Sequence, residues 1–152
     1  MVPGIILYPN FQLKYNVEAL RIVYQTIDAR GEVVQASGAL MVPIGADSLP
    51  MMSVQHGTET FRESVASVNP TNMAEGYLGL VAASMGYLIT LPDYLGFGVS
   101  EVLHPYVHAK TNAITVIDLL RAVKSYSNEK SIITNGQLFL AGYSEGGYSI
   151  TS

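Results

Sequence analysis

The sequence predicts an α/β fold whose sheet joins an antiparallel hairpin to a parallel core. Three observations carry this. Two segments rich in β-formers, 17–28 and 32–43, flank the turn Asp28-Ala29-Arg30-Gly31. Downstream, apolar runs bounded by glycine and proline alternate with stretches of helical period. That is the β-α-β-α-β order of parallel strands with helices on both faces. Finally, 49% of the 152 residues are hydrophobic and only 13% are charged, so there is ample apolar material for a core.

The elements follow in order. Residues 17–28 and 32–43 form the hairpin, with Gly31 free to take a positive φ at its turn. Gly45 to Pro50 is a loop. Residues 49–57 form a short apolar strand that ends sharply at Gln55-His56-Gly57-Thr58. Residues 58–72 are polar and irregular. Met73, Tyr77, Leu80 and Val81 fall at helical spacing before Gly86, a helix stop. Residues 87–94 read as a buried strand, and 95–108 as a loop containing glycine and proline. Thr111 is the expected N-cap of the next helix. Ala113, Val116, Ile117, Leu120 and Val123 make its apolar stripe, with Asp118, Arg121 and Ser125 on the opposite, solvated face. That helix ends near Asn128. Residues 137–142 read as a further buried strand, followed by Gly142-Tyr143-Ser144-Glu145-Gly146-Gly147.

Composition narrows the function. The net charge is −4 and Lys and Arg are scattered, which argues against a nucleic-acid partner. Cysteine is absent, excluding disulfides and Cys-ligated metals. No run reaches the ~18–20 apolar residues of a membrane-spanning helix. The opening MVPGIILYPN lacks the basic and apolar regions of a signal peptide. Two weak motifs are set aside. Gly96-Phe97-Gly98 lacks the third glycine of a dinucleotide fingerprint and meets Pro105 soon after. Glu59 and Glu63 near His56 offer too few ligands for a metal and read as a solvated face.

One motif carries chemistry. Gly142 to Gly146 fits G-x-S-x-G directly after a predicted strand. In that setting the chain turns sharply into a helix, the apex serine takes strained backbone angles, and its neighbours two residues away must be small. Gly142 and Gly146 occupy those places, and Gly147 adds room. Ser144 then sits at the C-terminal edge of the sheet, and the Glu145 N–H is available to an oxyanion. A glycine- and serine-rich linking turn is the plain alternative; the strand context favours the elbow. The break after residues 49–55 points the same way. A second oxyanion donor comes from a loop after a neighbouring strand. Here it is the N–H of Thr58 or a close neighbour, with Gly57 permitting close backbone approach and His56 either supporting the loop or simply structural.

With these residues in place, the chain resembles the α/β-hydrolase superfamily and is most similar to secretory-lipase-like serine esterases. The matching stretches are IVYQTIDARGEVVQASGALMVP, SVQHGT, LPDYLGFGVSEVLHPY and GYSEGGY, spanning residue 3 to the end. The Pro-Asp-Tyr-x-Gly-x-Gly segment followed by His-Pro-Tyr is more specific than the elbow. The resemblance implies that Ser144 is an acyl nucleophile, that Glu145, Thr58 and Gly57 form the oxyanion hole, and that esters are cleaved through an acyl-enzyme without a cofactor. It also implies an ester or lipid-ester substrate and an extracellular or periplasmic location. By analogy with the family's turn, Asp93 holds the glycine-rich loop by hydrogen bonds. Tyr94 and Tyr106 line the site mouth or only pack; the sequence leaves both open.

The triad is incomplete in these residues. His56, His104 and His108 all precede Ser144, whereas the hydrolase order is Ser, then acid, then His. His104 and His108 read as structural. The expectation is therefore an N-terminal portion of one α/β-hydrolase domain, inactive by itself, with the later strands, the acid and the histidine beyond residue 152. An uncovered edge at 137–142 then favours self-association. Two rivals remain: a serine peptidase of prolyl-oligopeptidase type, and a non-catalytic interaction module derived from a hydrolase half.

Overall fold

The structure is a computed structural model and describes residues 13–151. The opening decapeptide and the first part of the resemblance lie outside the described residues. The hairpin is formed by β1 (Val17–Ile27) and β2 (Val33–Pro43), in register from Val17 opposite Pro43 to Ile27 opposite Val33. Gly31 sits in its turn at φ +87°. β3 (Leu49–Gln55), α1 (Ala74–Ser84), β4 (Leu88–Pro92), α2 (Ala109–Glu129), β5 (Thr134–Gly142) and α3 (Glu145–Thr151) follow, with one 3-10 turn at Pro70–Asn72.

The five strands form one sheet in the order β1-β2-β4-β3-β5. β3 runs parallel to both β4 and β5, and β2 joins β4 antiparallel. The expected α/β architecture is therefore present: a parallel core of β4, β3 and β5 with the hairpin added at one side. The strand pleat sorts the core into two layers. Leu40 and Leu88 meet Leu119 and Val123 of α2, together with Tyr24. Their neighbours Ala39, Met41, Ile89 and Leu91 meet Ala83 of α1 and Met73 on the other face. Each fully buried leucine contributes about 1.5–3 kcal/mol.

Four local expectations are corrected. First, α1 does not bury Tyr77, which is 59% exposed; it buries Gly76, Gly79 and Ala83. The reason is closeness of approach: a Cβ on Gly79 would lie 3.1–3.3 Å from Met41, Leu91 and Ile89, so small residues face the sheet. Second, α2 is capped by His108, not Thr111. The His108 Nδ1 accepts from the Thr111 N–H at 3.4 Å and lies 2.6 Å from the Thr111 hydroxyl.

Third, the buried stripe of α2 is turned from the expected one. It runs through Asn112, Thr115, Val116, Leu119, Val123 and Ser127, while Ile117 is exposed. Asn112 and Thr115 take part in it because they are paired internally, whereas the Ser127 hydroxyl has no partner among the described residues. The Thr115 hydroxyl donates to the Thr111 carbonyl at 2.8 Å, and the Tyr24 hydroxyl to the Thr115 carbonyl at 3.0 Å. Asp118, expected in solvent, instead accepts from the Thr26 hydroxyl of β1 at 2.9 Å. Fourth, β5 is not buried. It is an edge strand, and Leu138, Phe139 and Leu140 are 43–50% exposed.

Candidate active site

The site is assembled where β3 and β5 end side by side. β5 finishes at Gly142 and α3 begins at Glu145, leaving two residues for the reversal. Ser144 takes φ +52°, a left-handed conformation that a residue with a side chain adopts only when its surroundings impose it. Those surroundings are backbone. A Cβ on Gly142 would lie 2.5 Å from the carbonyl of Gly146, and one on Gly146 would lie 2.1 Å from the carbonyl oxygen of Gln55. Gly147 differs: an added Cβ would come no closer than 3.6 Å to its neighbours. The Tyr143 N–H reaches the Gln55 carbonyl at 3.4 Å, and the Gly146 N–H closes the turn on the Tyr143 carbonyl at 2.8 Å. The Ser144 side chain is exposed.

The end of β3 supplies the facing loop. Gly57 is buried against Tyr143, whose ring lies 3.3 Å from where a Gly57 Cβ would be. The His56 ring is fully buried and each of its nitrogens faces a carbonyl oxygen. Nδ1 lies 2.7 Å from the Gly57 oxygen and Nε2 lies 3.1 Å from the Asp93 oxygen. His56 is thus a strut between this loop and the end of β4. All described peptides are trans, so the Thr58 N–H points away from the Gly57 carbonyl that His56 holds. The Gly57 N–H is not free: it donates to Glu75 Oε1 at 2.9 Å. The Gly57 N–H, expected from the resemblance as an oxyanion donor, is thus engaged by a carboxylate. Thr58 itself is exposed, and its hydroxyl lies 3.4 Å from the Tyr106 hydroxyl.

Glu145 has a second, buried life. Its carboxylate is almost wholly enclosed, and Oε1 faces three donors. These are His104 Nε2 at 3.0 Å, the Val107 N–H at 3.3 Å and Asn112 Nδ2 at 3.4 Å. Oε2 has no partner among the described residues. His104 turns its other nitrogen to the Leu95 carbonyl at 2.8 Å, and its ring lies between Tyr94, Phe97 and Tyr106. The Ser149 hydroxyl, 3.3 Å from Asn112 Nδ2, donates to the Glu145 carbonyl at 2.9 Å. This network ties the start of α3 to α2 and to the 95–107 loop.

Asp93 lies at the C-terminal end of β4, fully buried and without a lysine or arginine paired to its carboxylate among the described residues. Oδ2 accepts from the hydroxyls of Ser37 and Ser67 at 2.5 Å, and Oδ1 from the Ser67 N–H at 3.3 Å. The glycine-rich loop reaches it through Ser37, whose hydroxyl accepts the Val99 N–H at 3.1 Å. Gly98, at φ +57°, has no room for a side chain, since a Cβ would lie 2.4 Å from Asp93 Oδ2. Burial pushes the Asp93 carboxyl above its ordinary value; the serine hydrogen bonds and the nearby His56 oppose the shift. Tyr94 follows at φ +65° and is fully buried with Val65, Phe97 and Val116, so it packs beneath the loop rather than lining a mouth. Burial raises its phenol well above the ordinary range. Tyr106 is 61% exposed.

Sequence reasoning overlooked Glu75 and the partners of Glu145. Glu75 stands in the first turn of α1 and belongs to no motif. For Glu145 a signal was available, because a charged residue at a crowded elbow position must find donors or remain outside.

No family model matches the chain, and no curated protein matches it. Solved structures do. The chain is similar to a Legionella pneumophila protein described as a hydrolase, with 39% identity and a TM-score of 0.85 over 92% of this chain and 38% of that one. It is similar to the rice cell wall degrading esterase LipA from Xanthomonas oryzae, at 35% identity and a TM-score of 0.82 over 91% and 37%. Candida antarctica lipase A in its closed state matches at 16% identity and a TM-score of 0.65, over 93% and 37%, and speaks to the fold alone. The chain has the α/β-hydrolase fold of esterase and lipase type. It spans less than two fifths of the length of these neighbours and so corresponds to part of a hydrolase domain. Among the described residues, no helix is long and apolar enough to cross a membrane.

Proposed function

We propose that this chain carries the nucleophile and oxyanion donors of a serine carboxylic ester hydrolase of secretory-lipase-like type. One observation carries the reading: Ser144 at φ +52° between β5 and α3, with Gly142 and Gly146 each pressed against backbone. A plain linking turn needs neither the strain nor the two enforced glycines. The likeness to LipA, an esterase, supports esters as the substrate class.

In this reading Ser144 Oγ attacks the ester carbonyl carbon and passes its proton to a general base. The carbonyl oxygen becomes an oxyanion that accepts from the Glu145 and Thr58 N–H groups. Glu145 begins α3 and has no preceding helical carbonyl to bond. The alcohol leaves with the proton, and water then hydrolyses the acyl-serine by the same steps. No cofactor is needed.

The base is assigned outside these 152 residues. His56 and His104 have both ring nitrogens committed to backbone carbonyls or Glu145, and His108 caps α2. The 152 residues alone are then expected to be inactive. The experiment is fluorophosphonate labelling and p-nitrophenyl ester turnover by the longest natural chain carrying this sequence. Ser144→Ala is expected to abolish both, and undiminished turnover in that variant overturns the proposal.

A further inference from the structure

We infer that Glu75 is a positioning residue for the oxyanion hole, acting from α1 on the peptide that precedes the Thr58 donor; this rests on the ester-hydrolase reading above. Glycine is the residue least able to determine its own peptide orientation, so Gly57 must be held from outside. Two groups do this. His56 Nδ1 meets the Gly57 carbonyl at 2.7 Å, and Glu75 Oε1 meets the Gly57 N–H at 2.9 Å. The pins act on consecutive peptides, one before Gly57 and one after it, so together they limit rotation on both sides of its Cα. The direction of the Thr58 N–H follows from that limit, because it shares a trans peptide with the Gly57 carbonyl.

Glu75 is suited to the task. It is half-buried in the first turn of α1, where the helix N-terminus favours a carboxylate. α1 is anchored on the sheet through Gly79 and Ala83, so the carboxylate is presented from a rigid element. It also withdraws the Gly57 N–H from the donor set, leaving Thr58 and Glu145. The arrangement has a cost: a negative charge stands one peptide away from the place where an oxyanion forms. Only the hydrogen-bonding oxygen is useful to positioning, and the charge itself opposes the transition state.

That difference makes the inference testable in the longest natural chain carrying this sequence. Three variants are compared: Glu75→Gln, which keeps an acceptor oxygen and loses the charge; Glu75→Asp, which keeps the charge and the helix-start placement but shortens the reach; and Glu75→Ala. kcat and KM for p-nitrophenyl butyrate are measured with the inhibition constant of phenylboronic acid, whose tetrahedral serine adduct places an oxygen in the hole. Glu75→Asp and Glu75→Ala are expected to lower kcat about 10-fold with KM nearly unchanged, and to weaken phenylboronic acid by a similar factor. Glu75→Gln is expected to recover most of the loss. A merely structural role would not divide kcat from KM or separate Gln from Asp. Should Glu75→Ala not fold, Glu75→Asp carries the same expectation. Wild-type kcat and boronate affinity in Glu75→Asp, with Ser144-dependent turnover intact, overturn this inference alone. Absence of Ser144-dependent turnover in the wild type overturns the ester-hydrolase reading and this inference with it.

Discussion

Adding one methyl group at Gly146 and one at Gly147 should give opposite results, although both residues lie in α3. A Cβ on Gly146 would stand 2.1 Å from the Gln55 carbonyl oxygen, 2.6 Å from its carbon and 2.8 Å from the His56 oxygen. Ordinary contact begins at 3.4 Å, so the two backbones must part by about 1.3 Å. Neither can yield by a side-chain rotation. Overpacking of this kind costs about 1–3 kcal/mol, and the movement separates the elbow from the end of β3. A displacement near 1 Å at a reacting group costs about 100-fold in rate. At Gly147 the nearest atom is the Gly142 carbonyl oxygen at 3.6 Å, which tolerates a methyl group. There alanine gains up to about 1 kcal/mol of helix propensity over glycine. Urea unfolding of the longest natural chain carrying this sequence gives the stabilities, and fluorophosphonate labelling gives the accessibility of a reactive elbow. Gly146→Ala should lower the unfolding midpoint and slow labelling strongly, while Gly147→Ala leaves both near or above the wild type. Equal midpoints for the two variants would refute the claim that backbone contact at Gln55 requires glycine at 146.

Two further predictions concern the scaffold. Asp93 has a folded-state pKa raised by burial, so its contribution to stability is fully present below the ordinary value of 3.8 and is lost as pH rises through the folded value. Asp93→Asn mimics the uncharged acid without titrating; the wild type should therefore lose stability relative to this variant as pH rises from about 4, and a pH-independent gap in urea midpoints counts against the buried-charge account. Leu119 is fully buried between α2 and the sheet, and Leu119→Ala should cost about 2–5 kcal/mol in urea unfolding; a loss below about 1 kcal/mol would mean that α2 does not close the core there.

Much of the scaffold was readable because it is written in local periodicity. The hairpin, the α/β order and the strand-to-helix turn at Ser144 all follow from patterns within a dozen residues. The faces of the helices were less legible. α2 buries Asn112 and Thr115, and a hydrophobic stripe cannot anticipate a polar residue that finds its partner inside. α1 buries glycines, because the sheet demands closeness there rather than apolar bulk. β5 has the composition of a central strand yet lies at the edge, since position in a sheet depends on which strands are present beside it.

The sequence by itself determined that a small-residue turn follows a strand at Ser144 and that a His-Gly break ends an earlier strand. Only the tertiary structure decided what those features touch. It brought the ends of β3 and β5 into contact, made Gln55 the wall that requires Gly146, and gave the Gly57 N–H to Glu75, 18 residues away. It joined Glu145 to His104 across 41 residues. Hydrogen bonds of that separation leave no periodic trace in a chain, because each depends on where whole elements are packed rather than on the residues beside it.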